Sequence, residues 1–412
     1  MSVILFEDRR VSQLHPITTG RPAFEISCGS YRLVDLVRRL GLPVEAIVRP
    51  YLRAVLAQNC PDLVPSARPP EKPLLLVNAR MVPAVSTLGR LRHLLELEPP
   101  VVVRTGKCVA AAVLAAGAAR PDPAAEGGDL AVYLDGLAPE STHLELPLFD
   151  YPHDVVRYHP AALAENLEDR LATGAYKEIA DGLFAAEGAS LGEHAVIDSH
   201  DGPILLDAGA RIGPYCYLSG PAYVGRGSRV IEHAAIKDGV ALGHTTKVGG
   251  EVEASTVEPF TNKQHHGFLG HSYLGSWVNL GAGTSNSDLK NTYGPVSMEY
   301  DGRKVATGMQ FLGCILGDYS KTAVNTSIFT GKTIGVCSMV YGFVTTNVAS
   351  FVNYARFFGQ VTEATVEVMA ATQARMFERR GVKQRPCDVE LLEAMYELTR
   401  HERQLASEPL AL

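Results

Sequence analysis

LDAGARIGPYCYLSGPAYVGRGSRVIEHAAIKDGVALGHTTKVGGEVE, residues 206–253, decides the architecture. An aliphatic residue stands at every sixth position: Leu206, Ile212, Leu218, Val224, Val230, Ile236, Leu242 and Val248. The residue four places after each is small or short, namely Ala210, Cys216, Ala222, Ser228, Ala234, Val240, Thr246 and Val252. Neither the period of a strand nor that of a helix gives this spacing. A period of six is the hexapeptide repeat of a parallel β-helix. Each hexad forms one flat face of a triangular coil, with the aliphatic residue inside and the small one at a corner. Glycine at the second place, as in Gly213, Gly225, Gly243 and Gly249, is expected to serve a tight backbone turn.

The frame returns twice. Phe268, Leu274 and Leu280 begin three more hexads, and Leu316, Thr322, Ile328, Ile334 and Val340 begin another five. Three faces per coil then predict about five coils stacked on one continuous core. Between Val248 and Phe268 the count exceeds whole hexads by two residues, which predicts a bulge near Thr261–Gly267. The polar stretch Asn286–Met309 interrupts the aliphatic pattern and predicts a loop leaving the coil. Such loops are the usual place for function on a solenoid.

Outside the repeat, the chain reads as an α/β domain over 1–158, a helical linker over 159–186, the β-helix over 187–353 and C-terminal helices over 354–412. In the first of these, Val3–Phe6, Val44–Val48, Leu74–Val77, Val101–Val103 and Leu130–Leu134 are short apolar runs. They alternate with helical stretches such as Tyr31–Leu40, Ser86–Leu97 and Gly106–Ala119, as parallel βαβ units do. A surface loop is expected over 121–128, and the C-terminal helices over 362–380 and 388–403 are expected to cap the last coil. A net charge of −7 without a basic run argues against nucleic acid. No apolar stretch is long enough for a membrane span. The start MSVILFEDRR is not a signal peptide, so a cytoplasmic location is expected. The seven cysteines show no paired spacing and read as buried thiols.

The order of these parts resembles the bifunctional N-acetylglucosamine-1-phosphate uridylyltransferase / glucosamine-1-phosphate acetyltransferase family. Residues 236–253 are similar to a family segment written LRPGA…HVGNFVE, and ValAsnLeuGlyAlaGlyThr (278–284) is similar to VNIGAGT. Residues 262–275 and 287–291 resemble a divergent subgroup of sugar nucleotidyltransferases. The resemblance implies a Rossmann-like nucleotidyltransferase domain, a left-handed β-helix, a homotrimer, and two activities that use Mg²⁺ and acetyl-CoA. The expected partners are a sugar phosphate, a nucleoside triphosphate and acyl-CoA.

Residues 13–24 are similar to the pattern LxPLTxxxPKxLxPVxGKP. Where the family has a glycine-rich loop that holds phosphates with backbone N–H groups, this chain has GluAspArgArgValSer (7–12). Where the family has a metal-binding aspartate, Arg80 stands. Either Asp8, Arg9, Arg21 and Arg80 bind the nucleotide or the domain no longer transfers nucleotides.

On the solenoid, acyl transfer from a thioester to an amine needs a base, and histidine suits neutral pH. A gapless alignment puts His265 on the family's catalytic histidine; His266 is the next candidate, and His271 lies close by. Lys237 and Glu253 match sugar-phosphate positions, while Ser255 replaces an expected lysine. Asn262, Lys263, Asn286 and Asn291 are further substrate-contact candidates, and Ala282, in the stretch like VNIGAGT, is expected on the acyl-CoA. The histidines lack a carboxylate or cysteine at metal-site spacing, so no protein-held metal is expected on the solenoid. Trp277 and Tyr273 are expected to face a partner subunit or a coil edge.

The leading expectation is a sugar-1-phosphate nucleotidyltransferase and/or acetyl-CoA-dependent amino-sugar-phosphate acetyltransferase. The alternatives are a trimeric scaffold with an inactive nucleotidyltransferase domain, or an acyltransferase for another substrate. The nucleotide, sugar and acyl group stay open.

Overall fold

Ser2–Phe6 (β1) is buried on both sides from Val3 onward, as a central parallel strand must be. The computed structural model, which describes residues 1–65, 72–122, 127–137, 142 and 144–406, places Val44–Ile47 (β2) and Leu74–Asn78 (β3) parallel to it on either side. Leu33–Arg38 (α1) and Val85–Leu94 (α2) are the expected helices. Val101–Thr105 (β4) and Cys108–Leu114 (β5) complete the sheet antiparallel to β3, in the order β2-β1-β3-β5-β4.

Two expectations fail here. The run Gly106–Ala119 is largely strand rather than helix, because Gly106 turns the chain at φ 58° and returns it alongside β4. Its alanines favour a helix in isolation, but six consecutive buried positions put them in the sheet. Leu130–Leu134 is helical instead, within Gly127–Asp135 (α3). Its Leu130 and Leu134 pack one turn apart on β-sheet residues such as Phe6 and Leu76. Of the expected 121–128 loop, residues 123–126 lie outside the described residues.

His153–Ala172 (α4) is a wedge between the domains rather than a free arm. Leu163 and Leu167 pack on Leu205, Tyr223 and Ala241 of the solenoid. His159 is fully enclosed: Nδ1 accepts from Gly29 N at 2.9 Å and Nε2 donates to Gly239 O at 2.8 Å. Burial pushes its pKa down to about 4, so the ring is neutral.

The solenoid is a left-handed parallel β-helix that begins at Leu183–Ala185, earlier than the hexads indicate. One face is a nine-stranded sheet, so the stack exceeds the expected five coils. The predicted aliphatic residues form its interior. The turn, however, is at the fourth hexad position: Tyr215, His233, Thr245, Phe260 and Trp277 all have φ between 57° and 64°. The second-place glycines serve close approach instead. A Cβ on Gly225 would meet Leu242 O at 2.5 Å, and one on Gly249 would meet Gln264 O at 2.2 Å.

There is no bulge at 261–267. Inward residues run Leu242, Val248, Val252, Val257, Lys263, Leu269, Leu274, Leu280, with steps of 6, 4, 5, 6, 6, 5 and 6. The chain skips residues at tightened corners, and Leu269 rather than Phe268 points inward, 2% exposed. The ejected loop carries an antiparallel hairpin, Ser297–Tyr300 with Arg303–Ala306.

The face through Leu205, Tyr223, Tyr273 and Ile315 is covered by the N-terminal domain and α4. Tyr273 is therefore fully buried and donates to Glu258 at 2.8 Å, not exposed at a subunit boundary. The face through Ile212, Val230, Val248, Lys263 and Leu280 borders Val366–Arg379 (α5), whose Phe377 packs against Trp277 with ring centroids 4.6 Å apart and planes tilted by 36°. The last coil's edge is covered by Gln360–Glu363, antiparallel to Val352–Ala355, while Pro386–Leu398 (α6) turns back to the N-terminal core. Among the described residues no helix is long and apolar enough to cross a membrane.

Candidate functional site

The third face, through Leu218, Ile236, Val252, Leu269 and Asn286, carries a polar column. Ile236 pairs with Val252 and Val252 with Leu269. Lys237, Glu253 and Gly270 therefore lie one above another on the outer surface. Lys237 Nζ is 2.5 Å from Glu251 Oε1 and 3.5 Å from Glu253 Oε2, and the Glu251 carboxylate raises its pKa.

His271 follows Gly270 at the corner, with φ 44°. Its Nδ1 lies 2.9 Å from Asp288 Oδ2 on the next coil, and its ring stacks on Phe311 at 5.1 Å. The side chains are 23% and 15% exposed, so solvent reaches the imidazole from one side. Asn286 sets the spacing: its Oδ1 accepts from Gly270 N and its Nδ2 donates to Gly270 O, each at 3.0 Å. A carboxylate on Nδ1 requires the proton there, leaving Nε2 as the basic nitrogen; that is the arrangement of an oriented general base. Asn286 thus acts as a buried clamp, and its burial removes it from substrate contact.

His265 and His266 are exposed on the corner at the other edge of this face. Neither side chain has a hydrogen-bond partner among the described residues; the backbone O of His266 accepts from Gly283 N. Ala282 lies on that same corner, with its O accepting from Asn325 N at 2.7 Å. Asn291 is exposed on the ejected loop. Asn262 accepts from Arg380 Nη2 at 2.6 Å and is occupied by α5's C-terminus.

Lys263 corrects its expected role. It takes an inward position, 2% exposed, where its ammonium donates to Gly249 O at 2.7 Å, His265 O at 3.2 Å and Gly267 O at 2.7 Å. A charge inside an apolar prism is tolerated because every N–H finds a carbonyl. It holds the corner beneath His265 and touches no solvent-facing ligand.

In the N-terminal domain, ligands would be expected at the carboxyl ends of β1 and β3. That crevice is filled by the chain's own ion pairs. Arg80, wholly buried, donates Nη2 to Asp8 Oδ2 at 2.7 Å and Nε to Asp8 Oδ1 at 2.8 Å, and also reaches Phe149 O. Glu7 is paired with Arg49 at 3.0 Å. Arg21 is 8% exposed and bound to Asp318 and, at 3.3 Å, to Glu258, both from the solenoid. Arg9 reaches Gly128 O at 3.4 Å. Arg21 and Arg80 thus cannot meet a phosphate without breaking buried pairs, which corrects their expected role. Glu7 and Asp8 are already neutralised by guanidinium groups, so this donor set does not fit Mg²⁺.

The His271–Asp288 pair escaped the gapless alignment. Its signal was arithmetic: residues 17 apart, about one coil, are vertical neighbours.

The architecture is that of a nucleotidyltransferase-like domain joined to a hexapeptide β-helix. The sugar nucleotidyl transferase family model matches residues 3–172. The bifunctional protein GlmU of Cupriavidus pinatubonensis is 26% identical over 155 residues, covering 37% of this chain and 31% of that protein. The GlmU of Ralstonia pickettii is 34% identical over 101 residues, covering 24% and 21%. The bifunctional sugar-1-phosphate nucleotidylyltransferase/acetyltransferase of Sulfurisphaera tokodaii is 28% identical over 159 residues, covering 38% and 39%. The matched region thus spans well under half the length of these relatives. Among solved structures, the UDP-N-acetylglucosamine acyltransferase of Francisella novicida is 13% identical, covering 55% of this chain and 82% of that one, with a TM-score of 0.23. Residues 3–172 are thus similar to sugar nucleotidyl transferases, and parts of the chain are similar at modest identity to GlmU-type bifunctional proteins.

Proposed function

We propose that this protein is a transferase of sugar-nucleotide metabolism whose working centre is the solenoid column, where an acyl group passes from acyl-CoA to the amine of a sugar phosphate. The observation that carries this reading is the His271–Asp288 contact of 2.9 Å at an open corner. As the amine attacks the thioester carbonyl, Nε2 of His271 takes its proton, and Asp288 stabilises the imidazolium that forms. Lys237, two coils along the same column, supplies positive charge for the phosphate, with Glu253 beside it. Its point charge attracts phosphate without the bidentate fork of an arginine.

The base is thus assigned to His271 rather than His265 or His266, which lack an orienting carboxylate. The acyl-CoA lies against the face-three surface, with Ala282 and His265 on its far edge. The Sulfurisphaera tokodaii relative carries nucleotidyl and acetyl transfer in its name, and the reading takes acetyl-CoA as the donor.

Nucleotidyl transfer through Asp8, Arg21 and Arg80 is not part of the proposal. Their mutual and interdomain pairing favours a structural role for the strand-end crevice. Assembly as a homotrimer is proposed through face three, because the N-terminal domain covers one face and α5 borders another. Acetyl-CoA-dependent acetylation of glucosamine 1-phosphate, followed by release of free CoA thiol, tests the reading. Absence of thiol release with this and other amino-sugar phosphates would overturn it.

A further inference from the structure

A cleft of about 1520 Å³ lies between the N-terminal domain, the ejected hairpin and the last coils. It is separate from the His271 column. One wall is the stretch that follows the segment standing in place of a glycine-rich loop, contributing Gln13 and His15; the others contribute Lys290, Lys304, Lys332 and Arg356. Such a volume exceeds the common range for small-ligand sites, roughly 300–1000 Å³, and holds a molecule as large as a nucleotide sugar.

Two groups in it lack a hydrogen-bond or ion-pair partner among the described residues. His15 Nε2 is buried with no hydrogen bond in the structure. Buried polar atoms are nearly always bonded, so an orphan facing a cleft marks a position for a ligand or a water. Lys332 is half-buried on its coil and forms no ion pair among the described residues; burial lowers its pKa, with Glu299 the acid that partly offsets this. An ammonium that is partly desolvated and only partly compensated favours an anion. Thr333 lies on the same strand and lines the cleft, whereas the Thr330 hydroxyl is committed to Ser287 Oγ at 2.8 Å.

Of the three carboxylates that line the cleft, Glu299 offsets the charge of Lys332 only in part and forms no ion pair with it among the described residues. Glu402 is tied to Ser350 N at 2.8 Å, and burial raises its pKa. Asp301 is 83% exposed at the rim beside His401. Asn347 fixes the walls, accepting from Thr333 N at 3.0 Å and donating to Glu299 O at 2.8 Å. The hairpin is therefore latched to the coil, and the cleft is preformed.

We infer that this interdomain cleft binds a phosphorylated metabolite of nucleotide or nucleotide-sugar size, with its phosphate on Lys332 and Lys304 and its remainder toward Gln13 and His15. The inference does not depend on acyl transfer at His271, and the test uses no acyl-CoA. Calorimetric titration of the full chain with pyrophosphate, UDP, UTP and UDP-N-acetylglucosamine separates phosphate recognition from recognition of base or sugar. At least one is expected to bind, with affinity lowered about tenfold or more by Lys332→Gln and by the exposed Lys304→Gln, and unchanged in Lys177→Gln, an exposed position at the other end of the solenoid. Circular dichroism checks that each variant folds, and the Lys304 change keeps the test valid if the Lys332 change does not. No binding by any of the four at millimolar concentration would overturn the inference. So would binding that survives both cleft substitutions, or binding lost in Lys177→Gln instead.

Discussion

His271 Nδ1 and Asp288 Oδ2 are 2.9 Å apart across adjacent coils, so the stacking of the solenoid itself builds the dyad. Replacing Asp288 with Asn keeps a hydrogen-bonding oxygen but permits the other tautomer and removes the charge that stabilises the imidazolium. Asp288→Asn is expected to lower kcat by about 10²-fold or more while leaving the melting temperature within a few degrees. Equal turnover in wild type and variant would remove Asp288 from the proposal.

Arg21 joins the two domains through Asp318 and Glu258. Arg21→Ala would leave two carboxylates buried without a counter-ion, which costs roughly 3–5 kcal/mol. The expected outcome is a large fall in melting temperature with exposure of the domain boundary to protease, whatever nucleotide is present. Unchanged stability would show that the pair is not a structural one.

Lys263 gives a pH signature. Burial lowers its pKa to about 8, below the ordinary lysine value. The folded protein then holds this proton less tightly than the unfolded chain. Its contribution to stability is fully present above the unfolded pKa of about 10.4 and is lost as pH falls through about 8. The melting temperature of wild type relative to Lys263→Met should therefore rise between about pH 8 and about pH 10. A difference that is flat over this range would contradict the buried ammonium.

Face three exposes Val196, Phe329 and Phe343, at 58%, 48% and 48%. Apolar side chains aligned on a rigid face mark an interface. Light scattering is expected to give a trimer in wild type and a smaller species in the Phe329→Glu/Phe343→Glu double variant. A monomeric wild type at micromolar concentration would rule out this assembly.

The solenoid was legible because its period is set by covalent geometry: Leu206 through Val248 must point inward at every sixth residue. The tightened corners at Gly250 and Ala254 were not, since a skipped residue in one step is indistinguishable from an added one later. Lys263 was misread for the same reason, because a lysine at an inward position breaks the rule that defines the frame. Arg21 and Arg80 looked like phosphate ligands in sequence; only the fold reveals that Asp318, some 300 residues away, and Asp8 already hold them. The strand Cys108–Leu114 lost to its alanines, whose helix preference is weaker than the packing of the sheet.

The central claim is tested most directly by acetyl-CoA-dependent turnover of His271→Ala beside His265→Ala, with both variants shown to be folded. The account predicts a loss of about 10²–10⁴-fold in the first and near wild-type kcat in the second. Full activity in His271→Ala, or a loss confined to His265→Ala, would contradict it.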